Sequence, residues 1–177
     1  MLSLTPTALY WPGGALVGAA AAALYGRRHS LPIGPTLDTL APGIALGLAI
    51  ERLGAFLGGV ALGAPTSLPW GVPILDVTRH PVQLIEMALL LGIAAWLWRS
   101  VGQRADPGGS FVRFVALYGG QRLFVEALRA QTPLLPNGLR VVQLFALALM
   151  LGAVGFLYYR RFQRTQDTPT PEDQGAR

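Results

Sequence analysis

The stretch VVQLFALALMLGAVGFLYY, residues 141–159, decides the fold class. It carries no charged side chain, and Gln143 is its one strongly polar residue. A helix needs about 20 largely apolar residues to cross the hydrocarbon core of a bilayer. The stretch therefore predicts a transmembrane helix.

The composition of the whole chain extends this prediction to several helices. Of the 177 residues, 52% are hydrophobic and 13% are charged, whereas soluble domains carry about 25% charged residues. The chain is therefore predicted to be all-α, a polytopic transmembrane helical bundle forming one domain over residues 1–164. A polar, proline-containing tail over residues 165–177 is predicted to be disordered and cytoplasmic. Five spans are predicted, at about 8–25, 39–62, 82–98, 110–128 and 141–159.

The distribution of arginine between the loops predicts the orientation of the spans. Basic residues concentrate in cytoplasmic loops of membrane proteins. The amino terminus is therefore predicted to lie outside and the carboxyl terminus in the cytoplasm. The loops on the predicted inner side hold Arg27, Arg28, Arg99, Arg104, Arg160, Arg161 and Arg164, and those on the outer side hold chiefly Arg79 and Arg140.

Several functional classes are disfavoured by composition. The chain has no cysteine and two histidines, so neither a metal site nor another cofactor is predicted. The calculated isoelectric point is about 10.4, but the arginines lie at span ends or inside spans. A nucleic-acid surface needs them clustered on a soluble face, so no nucleic-acid partner is predicted. Phosphate-cradling P-loops and nucleophilic serine elbows are also absent from the sequence.

The segment YGGQRLFVEALR, residues 118–129, places charges inside the fourth predicted span. Tyr118, Arg122, Glu126 and Arg129 recur at helical spacing and are predicted to share one face. Charges at mid-bilayer are costly, so this face should border a polar cavity or a partner. One interpretation is a structural Arg122–Glu126 ion pair. The other is an anion site in which Glu126 orients Arg122 and its guanidinium holds a lipid phosphate.

The second predicted span contains a further pair of charges, Glu51 and Arg52. Neighbouring residues of a helix point about 100° apart, so the two side chains are expected to face different places. Arg52 is predicted to join Arg122 at the phosphate, while Glu51 pairs elsewhere. Small residues that typically allow close helix packing follow in the same region, at Gly54, Gly58, Gly59 and Gly63.

The loop after the second span ends in a polar motif. Its piece PTSLPWGVP, residues 65–73, is too rich in proline for regular structure to be expected. His80 precedes Pro81, so it either caps the third span or takes part in chemistry. Gln83 and Glu86 follow one turn apart on the predicted helix. Glu86 is the harder of these to explain structurally, because it lies inside an apolar helix.

Three blocks of the sequence together resemble one family. They are RLGAFLGGVALGAPTSLPWGV, RHPVQLIE and YGGQRLFVEALR. In this order and spacing they are similar to the signature regions of bacterial prolipoprotein diacylglyceryl transferases. The segment GLRVVQLFALALMLG also resembles the last helix of that family, so the resemblance covers about residues 11–161.

The resemblance implies an activity, partners and a location. Members of the family transfer a diacylglyceryl group from phosphatidylglycerol to the lipobox cysteine of prolipoproteins and release glycerol phosphate. The expected partners are phosphatidylglycerol, the prolipoprotein lipobox segment and membrane lipids, with a helper subunit or homologue as a further possibility. The expected location is the bacterial inner membrane, as a multi-pass protein. The attacking thiol belongs to the substrate, so an enzyme without cysteine is consistent with this chemistry.

The family motifs match this chain position by position at most of the polar residues. Arg52 matches the arginine of the family's R-x-G-N-F pattern, and Ala55 stands where that pattern has asparagine. Gly58, Val60 and Pro12 also replace polar residues of the family. In the second block His80, Gln83 and Glu86 match H-P-x-Q-x-x-E, with Ile85 in place of a usual tyrosine. The third block matches completely, at Tyr118, Gly119, Arg122, Glu126 and Arg129.

The resemblance also implies roles for the matching residues. Arg52 and Arg122 would hold the phosphate as charge develops on the departing oxygen. Glu126 would orient Arg122, and Tyr118 would contact the polar cavity. The family's candidate base aligns with Pro12, so His80 is the candidate base by residue type, as the membrane-proximal histidine that is left. Arg129, Gln83 and Glu86 would contribute to substrate binding. Two alternatives stay open: a non-catalytic paralogue that binds anionic phospholipid or assists a full-length homologue, and a small transporter with an arginine-lined path.

Overall fold

Helices make up most of the described chain and follow the apolar stretches of the sequence. The computed structural model describes residues 11–60, 63–74, 76–101, 106–130 and 140–166. Within these ranges the helices and strands are, in chain order, α1 Trp11–Arg28, α2 Ile33–Leu57, β1 Val72–Ile74, β2 Val77–Arg79, α3 Val82–Arg99, α4 Gly109–Glu126 and α5 Val141–Gln166. Each of the five predicted spans therefore has a helical counterpart.

The helix ends differ from the predicted span ends where polar residues continue a helix. α5 runs to Gln166, so Thr165 and Gln166 are helical although the sequence places them in a disordered tail. Backbone hydrogen bonds continue a helix whether or not its side chains are apolar. Arg160 and Arg164 also anchor this last part of α5 to Asp106. The remainder of the predicted tail, residues 167–177, lies outside the described residues.

Three of the described helices, α2, α3 and α5, are long and apolar enough to cross a membrane by length and composition. α4 is less apolar because it carries Arg113, Arg122 and Glu126. Many large apolar side chains face outward, among them Leu24, Trp98 and Phe145, which are 60%, 68% and 66% exposed. Exposed apolar side chains in this number fit contact with lipid. The helical, membrane-type character of the chain is confirmed, and the number and orientation of the spans stay predictions.

Small residues set the packing of the bundle. α2 packs against α3, α4 packs against α5, and α4 also contacts α2 and α3. The buried cluster between α2, α3 and α4 consists of Ala41, Ala45, Ala94, Leu97 and Phe114. At Gly119, an added Cβ would lie 2.9 Å from the carbonyl oxygen of Ala146, so α4 approaches the backbone of α5 closely. Gly54, where the sequence suggested close packing, has open space around it.

A short hairpin interrupts the helices, so the prediction of no regular structure over residues 65–73 is wrong at Val72 and Pro73, which lie in β1. Residues 66–71 form no helix or strand, as predicted. β1 pairs antiparallel with β2, and Pro73 lies opposite Thr78. Proline lacks a backbone donor but is tolerated in an edge strand, where that donor would face away from the partner. The hairpin also pairs with the preceding loop, through a bridge between Pro65 and Arg79. The fold class is accordingly mostly helical rather than purely all-α.

A carboxylate on α2 fixes the start of α4. Oδ2 of Asp38 accepts a hydrogen bond from the backbone N–H of Gly108 at 2.7 Å, and Oδ1 accepts one from Phe111 at 2.9 Å. The first N–H groups of a helix have no partner inside it, and negative charge near them is favourable. α2 and α4 run in the same direction from this contact. Asp38 therefore fixes how far along the bundle axis each residue of α4 lies relative to the residues of α2.

Candidate functional site: three arginines around Glu86

Glu86 lies at the centre of a buried ionic cluster. Its side chain is 1% exposed, one turn inside α3. Oε2 accepts a hydrogen bond from Nη1 of Arg52 at 3.1 Å, and Oε1 accepts one from Nη1 of Arg122. Nη2 of Arg129 lies 2.8 Å from both carboxylate oxygens. A carboxylate removed from water needs such partners, because its unpaired charge would cost several kcal/mol.

The contact between Asp38 and the start of α4 places Arg52 and Arg122 at the same level along the bundle axis. Arg52 lies fourteen residues beyond Asp38 on α2, and Arg122 lies fourteen residues beyond Gly108. At about 1.5 Å per residue, both arginines lie roughly 21 Å from that contact. α3 runs in the opposite sense, so Glu86 near its start meets them at the same end of the bundle.

The arginines differ in accessibility. The side chains of Arg52 and Arg122 are 21% and 23% exposed, whereas that of Arg129 is 9% exposed. Arg52 also pairs with Glu51, whose side chain is 52% exposed. The expectation that Glu51 pairs elsewhere is therefore wrong, because two long side chains can curl around the helix and meet despite their divergent Cα–Cβ directions. Arg52 and Arg122 form the accessible edge of the cluster.

Glu126 contributes a second buried carboxylate, 1% exposed, at the end of α4. Its Oε2 lies 3.8 Å from Nη2 of Arg122 and 3.3 Å from Nε of Arg129. The expected Arg122–Glu126 pair is thus present, although Glu86 is the closer partner of Arg122. Arg140, the residue before α5, donates to the backbone carbonyl oxygen of Glu126.

Arg129 lies outside α4, although the sequence predicts it on the same helical face as Arg122 and Glu126. α4 ends at Glu126, and Arg129 lies beyond it in a β-bridge with Gly63. The neighbouring backbone N–H of Ala64 donates to the carbonyl oxygen of Leu128 at 2.9 Å. An added Cβ at Gly63 would lie 2.2 Å from the carbonyl oxygen of His80, so a side chain there would force the loop apart. Gly63 therefore allows the loop contact that holds Arg129 near Glu86.

Gln83 is buried but lies apart from the arginines. Its side chain is 0% exposed, and Nε2 donates to the carbonyl oxygen of Val60 at 2.6 Å. This bond ties the end of α2 to the start of α3. Its Oε1 is buried without a hydrogen-bond partner among the described residues. The geometry of Gln83 supports a positioning role more directly than contact with a substrate.

His80 does not cap α3 with its side chain, so the capping interpretation is wrong. α3 begins at Val82, Pro81 occupies the N-cap position, and no side chain makes a cap hydrogen bond there. The N–H of Val82 instead donates to the backbone carbonyl oxygen of His80 at 2.8 Å. Nδ1 of His80 is buried and has no hydrogen-bond partner among the described residues. The imidazole is thus left without a structural hydrogen bond at that nitrogen.

Tyr118 borders a small polar void beside the arginines. The void has a volume of about 20 Å³ and is lined by Leu48, Arg52, Glu86, Leu90, Tyr118, Gln121 and Arg122. This is room for about one water molecule. The ring of Tyr118 packs 5.9 Å from that of Phe114, which orients it. Gln121 was missed by the sequence analysis, and its buried Oε1 has no hydrogen-bond partner among the described residues.

Three family positions that differ in this chain lie on or just after α2. Ala55 is buried, Gly58 is the C-cap of α2, and Val60 is 56% exposed. None of the three can offer a side-chain hydrogen bond. The backbone of Pro12 lies in the first turn of α1. The polar groups near the cluster are therefore supplied mainly by α3, α4 and the adjacent loops.

The charge balance of the cluster favours an anion. Guanidinium groups are planar, always charged and matched to the oxygens of phosphate. Where several guanidinium groups converge on one carboxylate, they present more N–H donors than its two oxygens can accept. A phosphate bound beside them would accept hydrogen bonds from the remaining donors. The ionic residues described at this end are the arginines at 52, 79, 122, 129 and 140, the glutamates at 51, 86 and 126, and Asp76 in the hairpin turn, which makes five positive charges against four negative ones.

The fold and the cluster define a helical, membrane-type protein with a buried, arginine-rich ionic cluster. The sequence model of the prolipoprotein diacylglyceryl transferase family matches residues 5–159. The chain belongs to this family.

Curated relatives carry the corresponding name. The chain is 34% identical to the phosphatidylglycerol–prolipoprotein diacylglyceryl transferase of Gloeobacter violaceus, over 90% of this chain and 66% of the relative. It is 36% identical to transferase 2 of Streptomyces coelicolor, over 85% of this chain and 53% of the relative. It is 35% identical to the enzyme of Cutibacterium acnes, over 82% of this chain and 53% of the relative. The chain thus spans between about half and two thirds of the length of these relatives.

Proposed function

We propose that this protein transfers the diacylglyceryl group of phosphatidylglycerol to the lipobox cysteine of prolipoproteins in the bacterial inner membrane. The observation that carries the proposal is the cluster around Glu86, in which two arginines stay partly exposed beside a polar void. Phosphatidylglycerol presents one phosphodiester negative charge at such a depth. Family membership and the relatives' names support the same reaction.

Arg52 and Arg122 are the proposed phosphate ligands, because they form the accessible edge of the cluster. On binding, the phosphate would take over donors that now face Glu51 and Glu86. Arg129 and Glu126 would stay in place, since both are almost fully buried and contact each other. In this arrangement Glu86 and Glu126 are positioning residues that keep the guanidinium groups aligned. Tyr118 would contact the bound lipid from the wall of the void.

The proposed reaction is a substitution at the glycerol carbon that bears the phosphate ester. The cysteine sulfur forms a bond to that carbon, and the carbon–oxygen bond to phosphate breaks. The leaving oxygen keeps the electron pair and departs as part of glycerol phosphate. The arginines would stabilise the negative charge that develops there.

His80 is the proposed base that receives the thiol proton, because the thiolate is the effective nucleophile. Its Nδ1 makes no hydrogen bond to a described residue, so no structural contact of that nitrogen competes with this role. Histidine is also the side chain that most readily exchanges a proton near neutral pH. Gln83 would act indirectly, by holding the start of α3 against the end of α2.

The proposed topology has five spans within a single membrane domain over residues 1–164, with the amino terminus outside. The alternation of arginine-rich and arginine-poor loops supports this orientation. In it, the Glu86 cluster lies toward the outer face, where the lipobox of a translocated prolipoprotein would arrive. Residues 165–177 would form a cytoplasmic segment, of which the first two continue α5.

A transfer assay tests the function directly. Purified protein in liposomes of phosphatidylglycerol is mixed with a synthetic lipobox peptide, and the peptide mass is followed. A gain of one diacylglyceryl group is expected with phosphatidylglycerol, and none with phosphatidylcholine or with a peptide whose cysteine is replaced by serine.

The same experiment separates the second candidate, a non-catalytic protein that binds anionic phospholipid. That candidate draws support from Ala55, Gly58 and Val60, which replace polar family residues beside the cluster. Retained binding of phosphatidylglycerol without any transfer would favour it. Rescue of cells depleted of their own transferase would favour the enzyme.

A further inference from the structure

A second group of arginines lies at the opposite end of the bundle from Glu86. It borders a cavity of about 400 Å³. Arg113 comes from the first turns of α4, nine residues before Arg122. At about 1.5 Å per residue this places it roughly 13 Å further along the helix axis. The residues that line the cavity are Asp106, Arg113, Val154, Leu157, Tyr158, Arg161 and Arg164.

The charges of this cavity are not balanced among the described residues. Asp106 is its one described carboxylate, and it already pairs with Arg164 and, at 3.7 Å, with Arg160. Nη1 of Arg113 is buried and has no hydrogen-bond partner among the described residues. No described carboxylate forms an ion pair with Arg161 either. The cavity thus has one described carboxylate against three arginines, and neither Arg113 nor Arg161 forms an ion pair with a described carboxylate.

A larger apolar cavity of about 550 Å³ adjoins the basic one, and Arg113 and Leu157 line both. Its wall on α3 extends from Ala88 to Trp96, about 12 Å along the helix axis. Except for Arg113, its lining is apolar: Ala88, Leu89, Gly92, Ile93, Trp96, Ala116, Leu117 and Leu157. A basic pocket therefore opens into an apolar groove that runs toward the middle of the bundle.

We propose that the two cavities together bind one anionic glycerophospholipid of the adjacent membrane leaflet. Its phosphate would lie between Arg113 and Arg161, and one acyl chain would occupy the apolar groove. An amphipathic ligand fits both parts, because the arginines match a phosphate and the groove matches hydrocarbon. A free inorganic anion would leave the apolar groove unused. This site is separate from the Glu86 cluster and does not depend on the proposed transferase activity.

Trp96 provides a local probe, because its indole lines the groove. We would replace Trp11, Trp70 and Trp98 by Phe and record quenching of Trp96 by phospholipids with brominated acyl chains. The measurement compares brominated phosphatidylglycerol with brominated phosphatidylcholine of the same chains. A preference of about 25-fold for the anionic lipid is expected, since each of the two arginines near the membrane surface contributes about fivefold. Equal quenching by the two lipids overturns the proposal.

Charge-removing variants locate the preference. The double variant Arg113→Gln/Arg161→Gln should be quenched equally by the two lipids, because both arginines are removed. The control Arg28→Gln should keep the preference for phosphatidylglycerol, because Arg28 is exposed and lines neither cavity. Thermal melting of each variant in phosphatidylcholine checks that it is folded. If a variant does not fold, the quenching of Trp96 by the two lipids in the parent protein still decides the proposal. A preference that survives the double replacement, or that millimolar inorganic phosphate abolishes, overturns the lipid assignment.

Discussion

Replacing Glu86 by Gln should destabilise the protein far more than replacing Glu51 by Gln. Both carboxylates pair with Arg52 in the same cluster, so the two substitutions remove the same charge. They differ in burial, since the side chain of Glu86 is 1% exposed and that of Glu51 is 52% exposed. The comparison therefore isolates the effect of burial on an ionic contact.

The expected magnitudes follow from the partners that remain. Breaking a buried ion pair by removing one partner costs about 3–5 kcal/mol. Glu86→Gln should cost about 3 kcal/mol, at the lower end of that range, because Glu126 still faces Arg122 and Arg129. Glu51→Gln should cost about 1 kcal/mol or less, as for exposed pairs. For a chain of this size, roughly 2–4 °C of melting temperature corresponds to each kcal/mol.

Thermal unfolding in detergent, followed by tryptophan fluorescence, measures both effects. Glu86→Gln should lower the melting temperature by about 6–12 °C and Glu51→Gln by no more than about 4 °C. Combining Glu86→Gln with Arg129→Gln should cost less than the sum of the two single changes, because the residues contact each other. If the two single glutamate variants melt within about 2 °C of each other, Glu86 is not the hub of the cluster.

Three further predictions concern topology, phosphate binding and the base. A cysteine introduced at Ser67 should react with an impermeant thiol reagent in intact cells while one at Thr165 stays protected, since loop arginines favour the cytoplasm; the reverse pattern would invert the orientation. Arg122→Lys should fold but bind phosphatidylglycerol about 10–100-fold more weakly by native mass spectrometry, because the planar fork is lost; binding equal to the parent's would refute the phosphate role. His80→Gln should lower the rate of peptide lipidation by about 10²–10⁴-fold with unchanged lipid binding, and an unchanged rate would exclude His80 as the base.

The sequence identified most residues of the cluster but misassigned several of their contacts. The motif residues Arg52, Glu86, Arg122, Glu126 and Arg129 do come together. Four-residue spacing on one helix predicts Glu126 as the main partner of Arg122, because it is the contact that a helix alone provides. In the structure the closer partner is Glu86, from another helix.

Other contributors left little or no signal in the sequence. Arg140 reaches the cluster through the backbone of Glu126, a contact that no residue spacing could reveal. Gln121 sits beside a motif arginine, and its burial becomes visible only when α2 and α3 are packed against α4. Asp38 caps α4 through Gly108, which lies 70 residues later in the chain. In the sequence, the only sign of this capping role is an acidic residue at the edge of an apolar segment. Such a residue cannot be told apart from an ordinary solvated carboxylate.

By itself the sequence determined the positions of the helices, because apolar runs and helical spacing are local properties of the chain. It also determined the candidate anion ligands, since arginine and glutamate inside apolar helices are costly unless they serve a purpose. Only the tertiary structure decided that Glu86 is the shared partner. Arg52, Arg122 and Arg129 lie 34, 36 and 43 residues away from it in sequence. They meet because Asp38 fixes the height of α4 beside α2, and because the Gly63 loop holds Arg129 beyond the end of its helix. Contacts between separate elements depend on their relative heights and on the course of the loops, which no local pattern of residues encodes.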